Sequence, residues 1–108
     1  MGTHNGALLG AIGLCRKAGK LIVGTDAVCA ALREGKKPCG VLVAADASEN
    51  TSKRLADKCK TYAAPLLKIS ASGEELAAAI GKSAKTAAVA VTDENLWQLV
   101  LSRTQTPA

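Results

Sequence analysis

The 108-residue chain carries a single histidine, His4, and no two of its four cysteines form a C-x-x-C pair. A histidine-based nucleophilic relay or a multi-histidine metal site therefore has no material, and the thiol spacing does not suit zinc. Cys15, Cys29, Cys39 and Cys59 stand in apolar contexts and read as small core residues of a protein kept reduced. Neither G-x-G-x-x-G nor G-x-x-x-x-G-K-[ST] occurs, so the common dinucleotide and phosphate-loop signatures are absent; Gly6, Gly10 and Gly13 read as a small-residue helix face. The first residues lack the basic-then-apolar order of a signal peptide, and no apolar run approaches bilayer length. No linker, repeat or low-complexity segment divides the chain. These absences predict a single domain over residues 1–108, cytoplasmic and monomeric, free of membrane, metal and cofactor, and not an enzyme.

What is present begins with charge. The formal net charge is +5, and residues 1–38 hold six Lys/Arg against two acids, whereas residues 73–108 hold three against four. A basic surface concentrated in the N-terminal two-thirds suits a polyanion and raises its encounter rate.

Hydrophobic spacing predicts alternating elements. Leu8, Ile12 and Cys15 recur at helical spacing in a helix near 5–17, with His4 in a flexible tail before it. Leu21–Val23 is a short strand, Thr25–Glu34 a helix with Val28 and Leu32 inward, and Val41–Ala45 a buried strand. Asp46 or Ser48 opens a longer helix to about Tyr62, in which Lys53, Arg54, Lys58 and Lys60 form a solvated face partly paired with Glu49 and Asp57. Leu66–Ile69 is a third strand. Ser72 and Glu75 have capping-box spacing ahead of a short helix that Gly81 ends, and a loop over 82–86 leads into a strand at Ala87–Val91. Asp93 caps a last helix that turns Trp97, Val100 and Leu101 inward, and Ser102–Ala108 fray. Strands apolar on both faces and separated by helices imply an α/β fold, a three-layer α/β/α sandwich with a small mixed sheet.

The segment Lys17-Ala18-Gly19-Lys20-Leu21-Ile22-Val23-Gly24-Thr25-Asp26 compresses a helix end, a strand and a new helix start into one basic stretch. Gly19 suits a left-handed helix stop, Gly24 a close backbone approach, and Thr25 or Asp26 an N-cap. Unpaired amides at such a terminus attract phosphate or base-edge acceptors, although ordinary capping explains the same residues.

Taken in order, Ala18-Gly19-Lys20-Leu21, Gly24-Thr25-Asp26, Gly35, Asp46-Ala47-Ser48-Glu49-Asn50-Thr51, Lys58-Cys59-Lys60 with Pro65, Glu74-Glu75-Leu76, Ala79-Ile80-Gly81 and Val89-Ala90-Val91-Thr92-Asp93 form a pattern. It resembles the ribosomal-protein superfamily of kink-turn RNA binders, of the large-subunit seven-Ae and thirty-e type, in its small bacterial YlxQ-like branch. The resemblance spans nearly the whole chain and implies a non-catalytic binder of structured RNA, ribosomal RNA or a kink-turn, of ribosomal or ribonucleoprotein type. It places Gly24, Thr25 and Asp26 against the G·A-paired part of a bent RNA. Asp26 stands where Asn is typical, Ala27 where Glu is typical and Ala30 where Lys is typical. An aspartate accepts from a guanine edge but cannot donate, and its charge opposes phosphate.

The second segment that the resemblance turns toward RNA is Ser83-Ala84-Lys85-Thr86-Ala87, with Lys85 on phosphate and the alanines against base or sugar. Lys20, Lys36 and Lys37 are expected to share an attachment edge with Lys85. The competing expectation is a protein-interaction or assembly module on the translation or transcription machinery that kept the scaffold and lost kink-turn specificity. A small ligand-binding or catalytic domain is a third reading, disfavoured by the missing phosphate motif and histidine.

Overall fold

A computed structural model describes residues 3–36 and 38–104, with side chains from residue 6 onward. Its elements alternate as expected: α1 (Thr3–Lys17), β1 (Leu21–Val23), α2 (Thr25–Arg33), β2 (Gly40–Val43), α3 (Glu49–Thr61), β3 (Leu66–Lys68), α4 (Gly73–Ala79), β4 (Ala88–Val91) and α5 (Glu94–Thr104). The four strands form one mixed sheet in the order β1-β4-β2-β3, in which β2 and β3 are parallel and β4 runs antiparallel to both β1 and β2.

Strand alternation sorts the core into two layers. Leu42, Ala44, Val89 and Val91 face α1, α4 and α5, where they meet Leu8, Ile12, Cys15, Leu76, Ile80, Trp97 and Val100. Val41, Val43, Ala88 and Ala90 face α2 and α3, against Val28, Cys29, Leu32, Leu55 and Cys59. Covering both faces explains why the central strands are apolar at every position, and gives the expected α/β/α sandwich.

Local signals set most helix ends. Ser48 Oγ accepts from Thr51 N at 3.1 Å, which makes Ser48 and not Asp46 the cap of α3. Ser72 and Glu75 exchange hydrogen bonds in a complete capping box on α4. Asp93 Oδ2 accepts from Leu96 N at 3.0 Å and opens α5.

Four expectations are corrected. The backbone of His4 belongs to α1, because helical hydrogen bonding extends back to Thr3. Ser102 to Thr104 are helical, and the Ser102 and Thr104 hydroxyls donate to the Leu99 and Leu101 carbonyls at 2.7 and 2.8 Å; residues 105–108 lie outside the described ones. Of the three α1 glycines, only Gly13 packs tightly, where a Cβ would come within 3.1 Å of the Ala79 carbonyl oxygen, while Gly6 and Gly10 face open space. Lastly, the only ion pair that α3 makes among the described residues leads to α2, not to Glu49 or Asp57.

Cys15, Cys29 and Cys59 are buried and Cys39 partly so, all as free thiols. Burial pushes the Cys15, Cys39 and Cys59 thiols up, which makes them poor nucleophiles and fits a packing role.

Candidate functional site

Because β1, β2 and β3 point one way and β4 the other, the ends of the first three strands and the start of β4 meet at one end of the sheet. Gly24 N donates to the Ala88 carbonyl at 2.9 Å, which sets the start of α2 beside the loop before β4. On the other flank Ala44 N donates to Ala87 O at 2.8 Å, Ala45 N to Ala71 O at 2.8 Å, and Thr86 N to Gly73 O at 3.1 Å. The two segments singled out in the sequence, Gly24–Asp26 and Ser83–Ala87, are therefore neighbours across the β1–β4 pairing.

α2 opens without a side-chain cap. Its N-cap is Gly24 at φ 101° and ψ 145°, so the residue in capping position has no side chain to offer. Thr25 and Asp26, expected as caps, are instead the first helical residues, because the glycine conformation turns the chain one step earlier. The amides of this first turn sit at an exposed helix start, where the aligned backbone dipoles favour acceptors.

The side chains around these segments come in matched pairs. Asp26 Oδ1 accepts from Arg54 Nη1 at 2.8 Å, an ion pair between α2 and α3 across 28 residues of sequence. Asp46 Oδ2 faces Lys85 Nζ at 3.1 Å, and Asp46 Oδ1 accepts from Gly73 N at 2.8 Å. The Gly73 amide, and then Lys85, hold the Asp46 carboxyl below the usual carboxylate range. Arg54 and Lys85 each face an acid here, while Lys68 at the end of β3 makes no ion pair among the described residues, and the surface between them offers backbone amides and small residues.

Ser83, Ala84 and Lys85 are exposed and Ala87 half-buried, but Thr86 is only 6 % exposed and turns its hydroxyl toward the Ala84 carbonyl at 3.3 Å. Thr86 shapes the loop from within. Arg54 and Asp46 also belong to this site and carry no local sequence signal of it. No spacing rule links Arg54 to Asp26, and Asp46 reads locally as a helix-start residue.

Lys20 and Lys36 lie elsewhere. Thr92 N donates to Lys20 O at 2.9 Å at the far end of β1, and Lys36 N donates to Ala31 O at 3.0 Å past the end of α2. Lys36 Nζ stands 3.5 Å from Glu34 Oε1, whereas Lys20 has no ion pair among the described residues. The expected edge of Lys20, Lys36, Lys37 and Lys85 is consequently split: Lys85 is at one end of the sheet, Lys20 and Lys36 at the other, and Lys37 lies outside the described residues. Between α2 and the open edge of β1 runs a groove of about 580 Å³ walled by Leu21, Ile22, Ala27, Ala30 and Ala31. Ala27 and Ala30, which stand where polar anchors are typical, form part of that wall.

No described helix is long and apolar enough to cross a membrane, and no three metal-ligating side chains gather among the described residues.

Comparison with known proteins bears on the same regions. Over 91 residues the chain is 37 % identical to a Bacillus subtilis (strain 168) protein named RNA-binding protein YlxQ, covering 84 % of this chain and 88 % of that one. A protein of the same name from Enterococcus faecium is 43 % identical over 74 residues, covering 68 % and 70 %. Among solved structures, a Bacillus halodurans protein of unknown function superposes with a TM-score of 0.80 at 28 % identity, over 90 % of this chain and 95 % of that one. The Giardia lamblia 15.5kD RNA binding protein shares the fold, with a TM-score of 0.76 at 20 % identity over 94 % and 84 % of the two chains. Residues 6–100, including both segments at the α2 end, match the model of one family, and the chain belongs to it: the ribosomal protein L7Ae/L30e/S12e/Gadd45 family.

Proposed function

We propose that this chain is a non-catalytic RNA-binding protein of ribonucleoprotein type, whose target is a bent, G·A-paired structured RNA such as a kink-turn, in ribosomal RNA or another cytoplasmic RNA of the translation machinery. The observation that carries the proposal is the juxtaposition of the uncapped α2 start at Gly24–Asp26 with the small-residue loop Ser83–Ala87, held by the Gly24 N to Ala88 O hydrogen bond of 2.9 Å. Backbone amides supply donors for base edges or phosphate, and Ala84 and Ala87 let a distorted groove approach closely. Membership of the family and the names of its two YlxQ relatives support RNA as the partner class.

Paired charges shape the mode of recognition. With Asp26 on Arg54 and Asp46 on Lys85, two of the cations at this end are already paired, so fit to RNA shape supplies most of the preference. Lys20 and Lys36, at the other end of the α2–β1 groove, supply weaker contacts to a flanking stem. A monomer suffices for this site.

Titration of a G·A-paired bent RNA and a duplex of equal length, at several salt concentrations, tests the reading. Tighter binding of the bent RNA at every salt is expected, with both affinities falling as salt rises. Equal affinities throughout would leave only charge attraction. The alanine-walled groove along β1 favours a second reading, a protein-interaction module, and that outcome would make it the better account.

A further inference from the structure

Capping of the adjacent helix α3 does not explain the Asp46 carboxylate, which instead takes the first amide of α4, Gly73 N. Ser48 already caps α3, with Thr51 N donating to Ser48 Oγ at 3.1 Å, and Asp46 lies outside that helix. Its two oxygens instead reach two segments distant in sequence: Oδ1 takes the Gly73 amide at 2.8 Å and Oδ2 faces the Lys85 ammonium at 3.1 Å. Gly73 is gripped from its other side as well, since its carbonyl accepts from Thr86 N at 3.1 Å. The Lys85 stem lies directly across Gly73, where a Cβ would come within 2.7 Å of Lys85 Cγ and 3.2 Å of Cε. A glycine at position 73 and an acid at position 46 thus fix the path of a lysine side chain and, through the Thr86 amide, the path of the loop that carries it.

We propose that Asp46 is a positioning residue that clamps the loop before β4 through the Gly73 amide and the Lys85 ammonium, so that Lys85 serves RNA binding by bracing this loop and not by pairing with phosphate. The proposal rests on the RNA-binding reading above. It has a consequence opposite in sign to that of a phosphate-contacting lysine. If Lys85 met phosphate, removing the neighbouring acid would free the cation, remove a repulsive charge and tighten binding. If the pair braces the loop, removing the acid loosens the loop and weakens binding, because the loop must then be ordered at the moment of association.

The test uses Asp46→Asn, which retains an acceptor for the Gly73 amide, Lys85→Met, which retains much of the stem over Gly73, and Lys85→Arg as a charge-conserving rescue. Bent-RNA affinity is measured across several salts, and amide hydrogen exchange at Thr86 is followed in the free protein with the β4 amides as an internal reference. Expected is a loss of about threefold to tenfold in affinity for both Asp46→Asn and Lys85→Met, the scale of ordering a few loop side chains on binding. The salt slope should stay within error, Thr86 exchange should accelerate by about tenfold relative to β4, and Lys85→Arg should recover most of both losses. Tighter binding by Asp46→Asn, or a slope reduced by about 0.7 to 0.9 in Lys85→Met, would identify Lys85 as a phosphate contact and overturn the proposal. Unchanged Thr86 exchange in both variants would overturn it too. If the unaltered protein shows no preference for bent RNA, the RNA-binding reading fails by itself and the exchange measurement alone decides the clamp.

Discussion

Replacing Gly40 by alanine tests whether the packing that supports the sheet has been read correctly. Gly40 opens β2, is buried, and lies against the ring of Trp97, itself 5 % exposed. A Cβ at position 40 would fall 2.1, 2.3 and 2.5 Å from Trp97 Cζ2, Cη2 and Cε2. Recovering an ordinary contact of 3.4 Å requires the indole to retreat by about 1.3 Å. Interiors are packed too densely to absorb that without rotamer or backbone shifts. Overpacking of this kind costs about 1–3 kcal/mol. Alanine returns roughly 0.5–1 kcal/mol of the entropy that glycine loses in a strand. With three ring atoms inside 3.0 Å of the new Cβ the overpacking cost lies in the upper part of its range, about 2–3 kcal/mol, so the net destabilisation is about 1–2.5 kcal/mol, and at roughly 4–8 °C per kcal/mol for a domain near this size the melting temperature should fall by about 10 °C. Thermal unfolding by circular dichroism measures the loss, and the fluorescence of Trp97, the sole tryptophan in the chain, reports the displaced ring. Trp97→Leu should suppress most of the additional effect of Gly40→Ala in a double-mutant cycle. Since Gly40 is at the end of the sheet away from Gly24 and Lys85, the folded variant should bind bent RNA as the parent does. A melting temperature within 2 °C of the parent would refute the packing argument.

Three further outcomes bear on the α2 end. Asp26→Asn, Ala27→Glu and Ala30→Lys together should increase the preference for bent RNA over duplex, because Asn donates as well as accepts, Glu accepts from guanine and Lys reaches phosphate; no gain in a folded triple variant would show that these anchors do not limit binding. Arg54→Gln should weaken RNA binding by exposing the Asp26 carboxylate, and adding Asp26→Asn should restore much of the loss, so additive effects in titrations of the four proteins would sever the two residues. The carboxyl of Asp46 should titrate below its ordinary value of 3.8, followed by carbon-13 chemical shift. Because its folded value is lowered, the group stabilises the fold at neutral pH and loses that contribution as pH falls through the lowered value. Lys85→Met should raise the midpoint only part of the way, since the Gly73 amide remains; no rise at all would remove Lys85 from the pairing.

The order of elements was legible from residue spacing because the physics that sets it is local. A capping box needs only Ser72 and Glu75 three residues apart, and the buried face of α1 needs only Leu8, Ile12 and Cys15 at helical spacing. Apolar strands between helices implied two covered sheet faces, and Val41, Leu42, Val43 and Ala44 do alternate between two cores. The order of short motifs from Ala18 to Asp93 also suggests the family that the match over residues 6–100 shows.

Strand order was not legible. Nothing in the local pattern says that β4 inserts between β1 and β2, yet that insertion sets Gly24 against Ala88 and leaves Lys20 and Lys36 at the opposite end from Lys85. The partners of charged side chains follow from the same packing. Arg54 has acids nearby on its own helix, but its guanidinium meets Asp26 once α2 and α3 lie side by side. Asp46, Gly73 and Lys85 converge only after three separate segments reach the same end of the sheet. Helices and caps depend on groups a few residues apart, whereas an interface depends on which distant segments are brought within hydrogen-bonding distance, and the hydrophobic packing of the whole chain decides that.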